Sequence, residues 1–159
     1  MKIEYPTRMH ERAAEQVVAF FSEFKNVKAV LLTCSCARGK ATKDSCLDIA
    51  ILFSAEFGLE SRTEIVNAWN REYSENKICK DFLEVGKYSH IDIEFIDGIF
   101  KEGYHSWTSG PDEYELEIGN FIAYSIPLYK SSNYYDQLKT TWLPFYNEQQ
   151  RQRRLQLVK

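Results

Sequence analysis

Two short apolar runs joined by a polar turn of small residues constrain the fold of this chain more than any other feature. Val27 to Thr33 is a compact apolar run that follows Lys25 and Asn26, and Asp48 to Phe53 is a second one. Segments this short, rich in Val, Ile and Leu, read as strands rather than helices; the first has the pattern of a strand buried on both faces. The turn between them holds Cys34, Ser35, Cys36, Ala37, Arg38, Gly39, Lys40, Ala41, Asp44, Ser45 and Cys46. Small residues let backbone amides come close to a phosphate group, and Ser35 adds a hydroxyl. Arg38 and Lys40 can offset phosphate charge. Asp48, at the entrance of the second strand, is placed to hold a hard cation such as Mg²⁺.

The rest of the chain gives these strands their surroundings. Thr7 is suited to cap a helix starting near Arg8, in which Ala14, Val17, Val18, Phe21 and Phe24 form one apolar face. Leu59 to about Tyr73 reads as another helix, with Ile65, Val66, Trp69 and Tyr73 on its apolar side. His90 to Ile96 alternates strictly, with His90, Asp92 and Glu94 on one face and Ile91, Ile93 and Phe95 on the other, and stops at Asp97-Gly98. Gly110-Pro111 marks a loop, and Asp112 to Tyr124 reads as a helix. Asn133 to Arg154 also reads as helix, with a break expected near Pro144 and a basic, solvated end. The expected fold is α+β, a small mixed β-sheet with flanking helices. One α+β domain is expected over residues 1–110, with a helical C-terminal extension packed on it over 111–159.

Bulk properties narrow the function. The net charge of −3 gives no overall attraction to nucleic acid or to anionic membranes. No apolar run approaches the ~18 residues of a membrane span. Met1 to Arg12 is polar and has no apolar stretch behind it, so no signal peptide is read. The four cysteines, Cys34, Cys36, Cys46 and Cys79, are then expected as reduced thiols of a soluble cytoplasmic protein.

The turn and its strands resemble a known pattern. The DNA polymerase β-like nucleotidyltransferase superfamily carries a strand, then G-S-x-A-R-G-x-A-x-x-x-S-D-x-D, then another strand. Ser35, Ala37, Arg38, Gly39, Ala41, Ser45 and Asp48 match it in register, while Cys34 stands at the first glycine and Cys46 at the first of the paired aspartates. The resemblance implies a nucleotidyltransferase-like domain over residues 1–110 and transfer of a nucleoside monophosphate from a triphosphate, ATP foremost, to a hydroxyl on a small molecule or protein. It also implies that paired aspartates and a third carboxylate on a later strand hold two Mg²⁺ ions. On that basis Asp48 and Asp92 are the expected catalytic residues and Mg²⁺ ligands, with Glu94 next in line. Ser35, Arg38, Gly39 and Ser45 are the expected nucleotide-binding residues. Glu117 to Tyr129 is similar to segments that follow the catalytic strands in some small-molecule members.

Two departures limit that reading. Two Mg²⁺ ions about 3.5–4 Å apart need bridging anionic oxygens. A cysteine offers soft sulfur and, with a pKa of about 8.5, is mostly protonated at neutral pH. Cys46 is therefore a poor substitute for a bridging carboxylate, and a Cβ at Cys34 crowds a place where glycine lets the backbone approach phosphate. Two functions follow as expectations: a transferase of impaired activity, or a nucleotide-binding or interaction module without chemistry, such as the antitoxin half of a toxin–antitoxin pair. The expected partners are nucleotide, acceptor, and a partner protein or second copy. The plain alternatives are a tight turn without ligand, Asp92 and Glu94 as an exposed strand face, His90 as a surface imidazole, and inert buried thiols. A zinc site from Cys34 and Cys46 with Cys36, Asp48 or His90 is a further expectation, although the spacing follows no common zinc pattern. Trp107, Trp142, Tyr134 and Tyr135 are candidates to stack a base or another ring, with Tyr135, Leu138 and Trp142 spaced as helix core.

Overall fold

The computed structural model describes residues 2–100 and 113–157. Helix α1 (Arg8–Phe21) opens where expected: Thr7 is extended, and its hydroxyl accepts a hydrogen bond from the His10 amide. That bond satisfies one of the amides that the first helical turn leaves free. Strand β1 (Val27–Leu32) and strand β2 (Leu47–Phe53) flank a single helical turn, α2 (Cys34–Ala37). Helices α3 (Leu59–Glu75) and α4 (Lys77–Phe82) then form the crossover to β3 (Ile91–Ile96). After α5 (Glu113–Ile118) and one π-helical turn at Gly119–Ala123 comes β4 (Ile126–Lys130), and α6 (Tyr134–Leu157) closes the chain's described part.

The sheet is mixed, with strand order β3-β2-β1-β4. β1 runs antiparallel to β2 and β4, and β2 runs parallel to β3. Each sheet face is covered. Leu47, Ile49, Ile51 and Phe53 of β2 join Val17, Phe21, Trp69 and Phe82 in one core cluster. Ala50 and Leu52 point the other way, into a second cluster with Phe100, Ile118, Ile122, Tyr135 and Leu138. Period-2 alternation thus assigns odd-numbered residues of β2 to the α1/α3/α4 side and even-numbered ones to the α6 side. The same parity puts Asp48 on the α6 side, at the strand start where apolar cover ends.

The sequence reading omits β4 and α4, and it expects a break in the last helix. Strand β4 is short, contains Pro127 and lies at the sheet edge beside β1, where a missing amide is tolerated. Pro144 lies inside a continuous 24-residue helix. Tyr135 and Leu138 before it are buried, and Trp142, Phe145 and Tyr146 on both sides of it pack on the second core cluster. This packing holds the axis against a proline cost of about 3 kcal/mol. Tyr135 and Leu138 are core, as their spacing implies. Trp107 and Gly110-Pro111 lie outside the described residues, as does the expected domain boundary at 110/111.

Candidate functional site

The turn after β1 is a compact hydrogen-bonded loop. Amides of Arg38, Gly39 and Lys40 donate to the carbonyls of Cys34, Cys36 and Ser35. Cys34 takes φ +56°, the left-handed region that L-residues avoid and glycine enters freely. The backbone therefore keeps a glycine conformation although the residue is cysteine, and the strain is on the order of 1–2 kcal/mol. Gly39 is also left-handed, at φ +70°. Ser35 is half-exposed at this turn. The Arg38 guanidinium lies over the Tyr124 ring, 4.1 Å from its centroid, and Tyr124 meets the Tyr146 ring edge-on at 5.7 Å. Arg38 thus ties the turn to the π-helical segment and α6, a cation–π contact that the sequence does not reveal.

The second half of the turn is held from two sides. The Ser45 hydroxyl accepts from the Thr42 amide at 2.8 Å and so closes the turn. His10, fully buried in α1, places Nε2 2.8 Å from the Ser45 carbonyl and Nδ1 2.7 Å from the Thr7 hydroxyl. Its ring edge meets Phe82 at 4.7 Å. A lone histidine on an amphipathic helix gives no sequence signal of this role. From the other side, Asp44 accepts from the Lys87 amide at its carboxylate and from the Tyr88 amide at its carbonyl, each at 2.9 Å. The Leu47 amide then donates to the His90 carbonyl, which begins the parallel pairing of β2 with β3.

That pairing assembles the acidic groups. Asp48 and Asp92 are direct partners in the β2/β3 register, on the same sheet face and at the same strand end. Cys46 donates its thiol hydrogen to Asp48 Oδ2 at 3.2 Å. His90 Nε2 lies 3.1 Å from Asp92 Oδ2. Donor atoms of Cys46, His90 and Asp92 all fall within 4.8 Å of one another. Glu94 pairs with Ala50, one step further along the same face, and is not in that cluster. Cys36 turns inward, is 3% exposed, and directs its thiol to the Cys46 carbonyl at 3.8 Å. Cys34 is also absent from the cluster, so the grouping is Cys46 with His90 and Asp92 rather than Cys46 with Cys34.

The electrostatics follow from this crowding. Burial, then the hydrogen bond and charge of Asp48, push the Cys46 thiol up to about 12. Burial also raises the Asp48 carboxyl; the Cys46 hydrogen bond opposes this, and the charge of Asp92 adds to it. At neutral pH Cys46 is thus an uncharged thiol. Asp48 and Asp92 offer hard oxygens, but the third group is a protonated sulfur donor. This donor set does not fit a pair of Mg²⁺ ions bridged by carboxylate.

Comparison with known proteins agrees with the architecture. The family model "Polymerase beta, Nucleotidyltransferase" matches residues 15–105. The comparison with curated proteins found no match. Among solved structures, a toxin–antitoxin with AMP-PNP is similar at 12% identity and TM-score 0.50, covering 91% of this chain and 94% of that one. A mutant of the toxin–antitoxin MntA-HpeT is similar at 11% identity and TM-score 0.50, with the same coverage of both chains. At such identities the likeness is one of fold. The chain belongs to the polymerase β-type nucleotidyltransferase family, on the strength of a match that runs from within α1 through β3.

Proposed function

We propose that this nucleotidyltransferase-family chain binds a nucleoside triphosphate, ATP foremost, at the mouth beside Ser35, and that its Mg²⁺-dependent transfer of a nucleoside monophosphate to a hydroxyl is weak. The observation that carries the reading is the 3.2 Å hydrogen bond from the Cys46 thiol to Asp48 Oδ2. A neutral thiol stands where the family's chemistry needs an anionic oxygen between two cations. Ser35 and the amides of the turn hold phosphate oxygens in this reading, and Gly39 gives the loop its second left-handed residue. Arg38 acts as a buttress through Tyr124, and its charge assists the phosphates from that position. Asp48 and Asp92 orient what cation enters, and Glu94, one step further along the same strand face, is next in line.

The protein partner is part of the same proposal. Two of the similar solved structures are toxin–antitoxin proteins, one of them with AMP-PNP, a triphosphate analogue. A nucleotide and a partner protein are therefore the ligands to try first. The partner also gives the second reading: a nucleotide-binding interaction module that works without transfer.

Calorimetric titration with AMP-PNP tests the binding half. Saturable binding to the unchanged protein, weakened by Ser35→Ala, is expected. The reading fails if neither the unchanged chain nor Cys46→Asp binds AMP-PNP. For the chemical half, Cys46→Asp is expected to raise Mg²⁺-dependent pyrophosphate release from ATP by at least about tenfold, or ~1.4 kcal/mol of barrier.

A further inference from the structure

The substitution that disqualifies the Mg²⁺ pair creates a different donor set. We propose that Cys46 Sγ, His90 Nε2 and a carboxylate oxygen of Asp92 form a mononuclear site for a borderline-soft divalent cation, zinc foremost, with a fourth position open. One sulfur, one imidazole nitrogen and one carboxylate oxygen are the ligand types that zinc takes, and three protein ligands with one vacant position is the arrangement of sites that admit a further ligand. The inference stands on donor geometry and goes beyond the transferase reading.

The spacing supports it. With Zn–N and Zn–O near 2.0 Å and Zn–S near 2.3 Å, tetrahedral ligands lie about 3.3–3.5 Å apart. His90 Nε2 and Asp92 Oδ2 are already 3.1 Å apart, and no pair in the cluster exceeds 4.8 Å. The widest gap therefore closes by no more than about 1.5 Å. The side chains of His90 and Asp92 are about half-exposed, at 45% and 53%, and are free to make that adjustment. The Leu47 amide to His90 carbonyl bond and the Asp48–Asp92 register hold the two strand ends side by side. Among the described residues this is the one set of three such donors that converges.

Asp48 completes the argument. Its carboxylate accepts from the Cys46 thiol. When the cation binds, the thiol proton leaves to solvent and the sulfur turns its lone pair to the metal. The negative neighbours Asp48 and Asp92, which disfavour a free thiolate, are then balanced by the dication. One Zn²⁺ with one thiolate and one carboxylate ligand is neutral, and Asp48 stands beside it as an outer carboxylate.

The experiment uses untagged protein, stripped with a chelator and titrated with Zn²⁺ alone against a chromophoric chelator. One saturable equivalent is expected. Co²⁺ in its place is expected to give the visible absorption of a tetrahedral ion and a thiolate charge-transfer band. Cys46→Ser and His90→Gln should each weaken Zn²⁺ by at least about 100-fold, more than the loss of a supporting group costs. His90→Gln keeps the test valid if the half-buried Cys46 variant folds poorly. Cys34→Ser should leave the affinity unchanged. No saturable equivalent would overturn the proposal, as would binding that survives both ligand variants or that disappears with Cys34→Ser. AMP-PNP binding is measured separately, so a protein that binds nucleotide and not zinc sinks this inference alone.

Discussion

Cys34 and Cys46 stand at the two ends of one turn, each where the pattern that the turn resembles has a different residue, glycine at the first and aspartate at the second. At the first, the structure keeps the shape that glycine gives: the backbone of Cys34 is left-handed at φ +56°, and the loop's amide bonds close around it. At the second, the position is kept, and in the proposed reading the chemistry is not. Cys46 reaches Asp48 as a neutral donor where an anionic acceptor belongs. A demand on backbone conformation can be met by a wrong residue at a modest strain. A demand for charged oxygen cannot be met by a protonated sulfur, and the metal preference proposed for the site moves with it.

The comparison can be broken or sharpened by substitution. The largest effect is expected from Cys46→Asp, which restores the hard bridging ligand and with it Mg²⁺-dependent pyrophosphate release. Cys34→Gly alone should leave that release at background. If it is Cys34→Gly that switches release on, the roles of the two cysteines are reversed.

Next in size is the support of the strand side. A Cβ on Gly86 would lie 2.7 Å from the Asp44 Cα and equally close to its Oδ1, in the loop that leads to Cys46. Backbone cannot swing aside as a flexible side chain can, so Gly86→Ala should cost about 2–3 kcal/mol, read as a drop in Tm. It should also weaken metal binding at Cys46, which a change on the turn side would not do.

Smaller effects belong to the turn side. Cys34→Gly should raise stability by about 0.5–1 kcal/mol, since relief of left-handed strain exceeds the extra chain entropy of glycine. Denaturant unfolding would show it as a higher midpoint with an unchanged slope. A loss of stability would mean that the Cys34 side chain contributes packing that outweighs the strain. Arg38→Gln, which removes the cation over Tyr124, should cost about 0.5 kcal/mol by the same measurement.

Much of this was legible in the sequence because local patterns and tertiary packing agree. The Thr7 cap, the β1–turn–β2 unit and the alternation of β3 are each decided by neighbours in sequence. The meeting of Asp48 with Asp92 is expected from the sequence only through the family resemblance; which strand lies beside β2, and in which direction, depends on a crossover through α3 and α4. His90 reads as a surface imidazole and is half-exposed, yet the parallel register carries it to Asp92 and Cys46. His10 and Tyr124 carry no local signal of their roles because their partners, the Ser45 carbonyl and Arg38, are remote in sequence. Strand β4 and the unbroken α6 are cases where sheet pairing and core packing outweigh the local effect of Pro127 and Pro144.

The central claim is that Cys46, and not the geometry around it, removes the Mg²⁺ chemistry. Pyrophosphate release from ATP with Mg²⁺, measured side by side for the unchanged protein and Cys46→Asp, tests this most directly. The account predicts release near background for the unchanged chain and a clear rise for the variant. Equal, robust release by both proteins would contradict it.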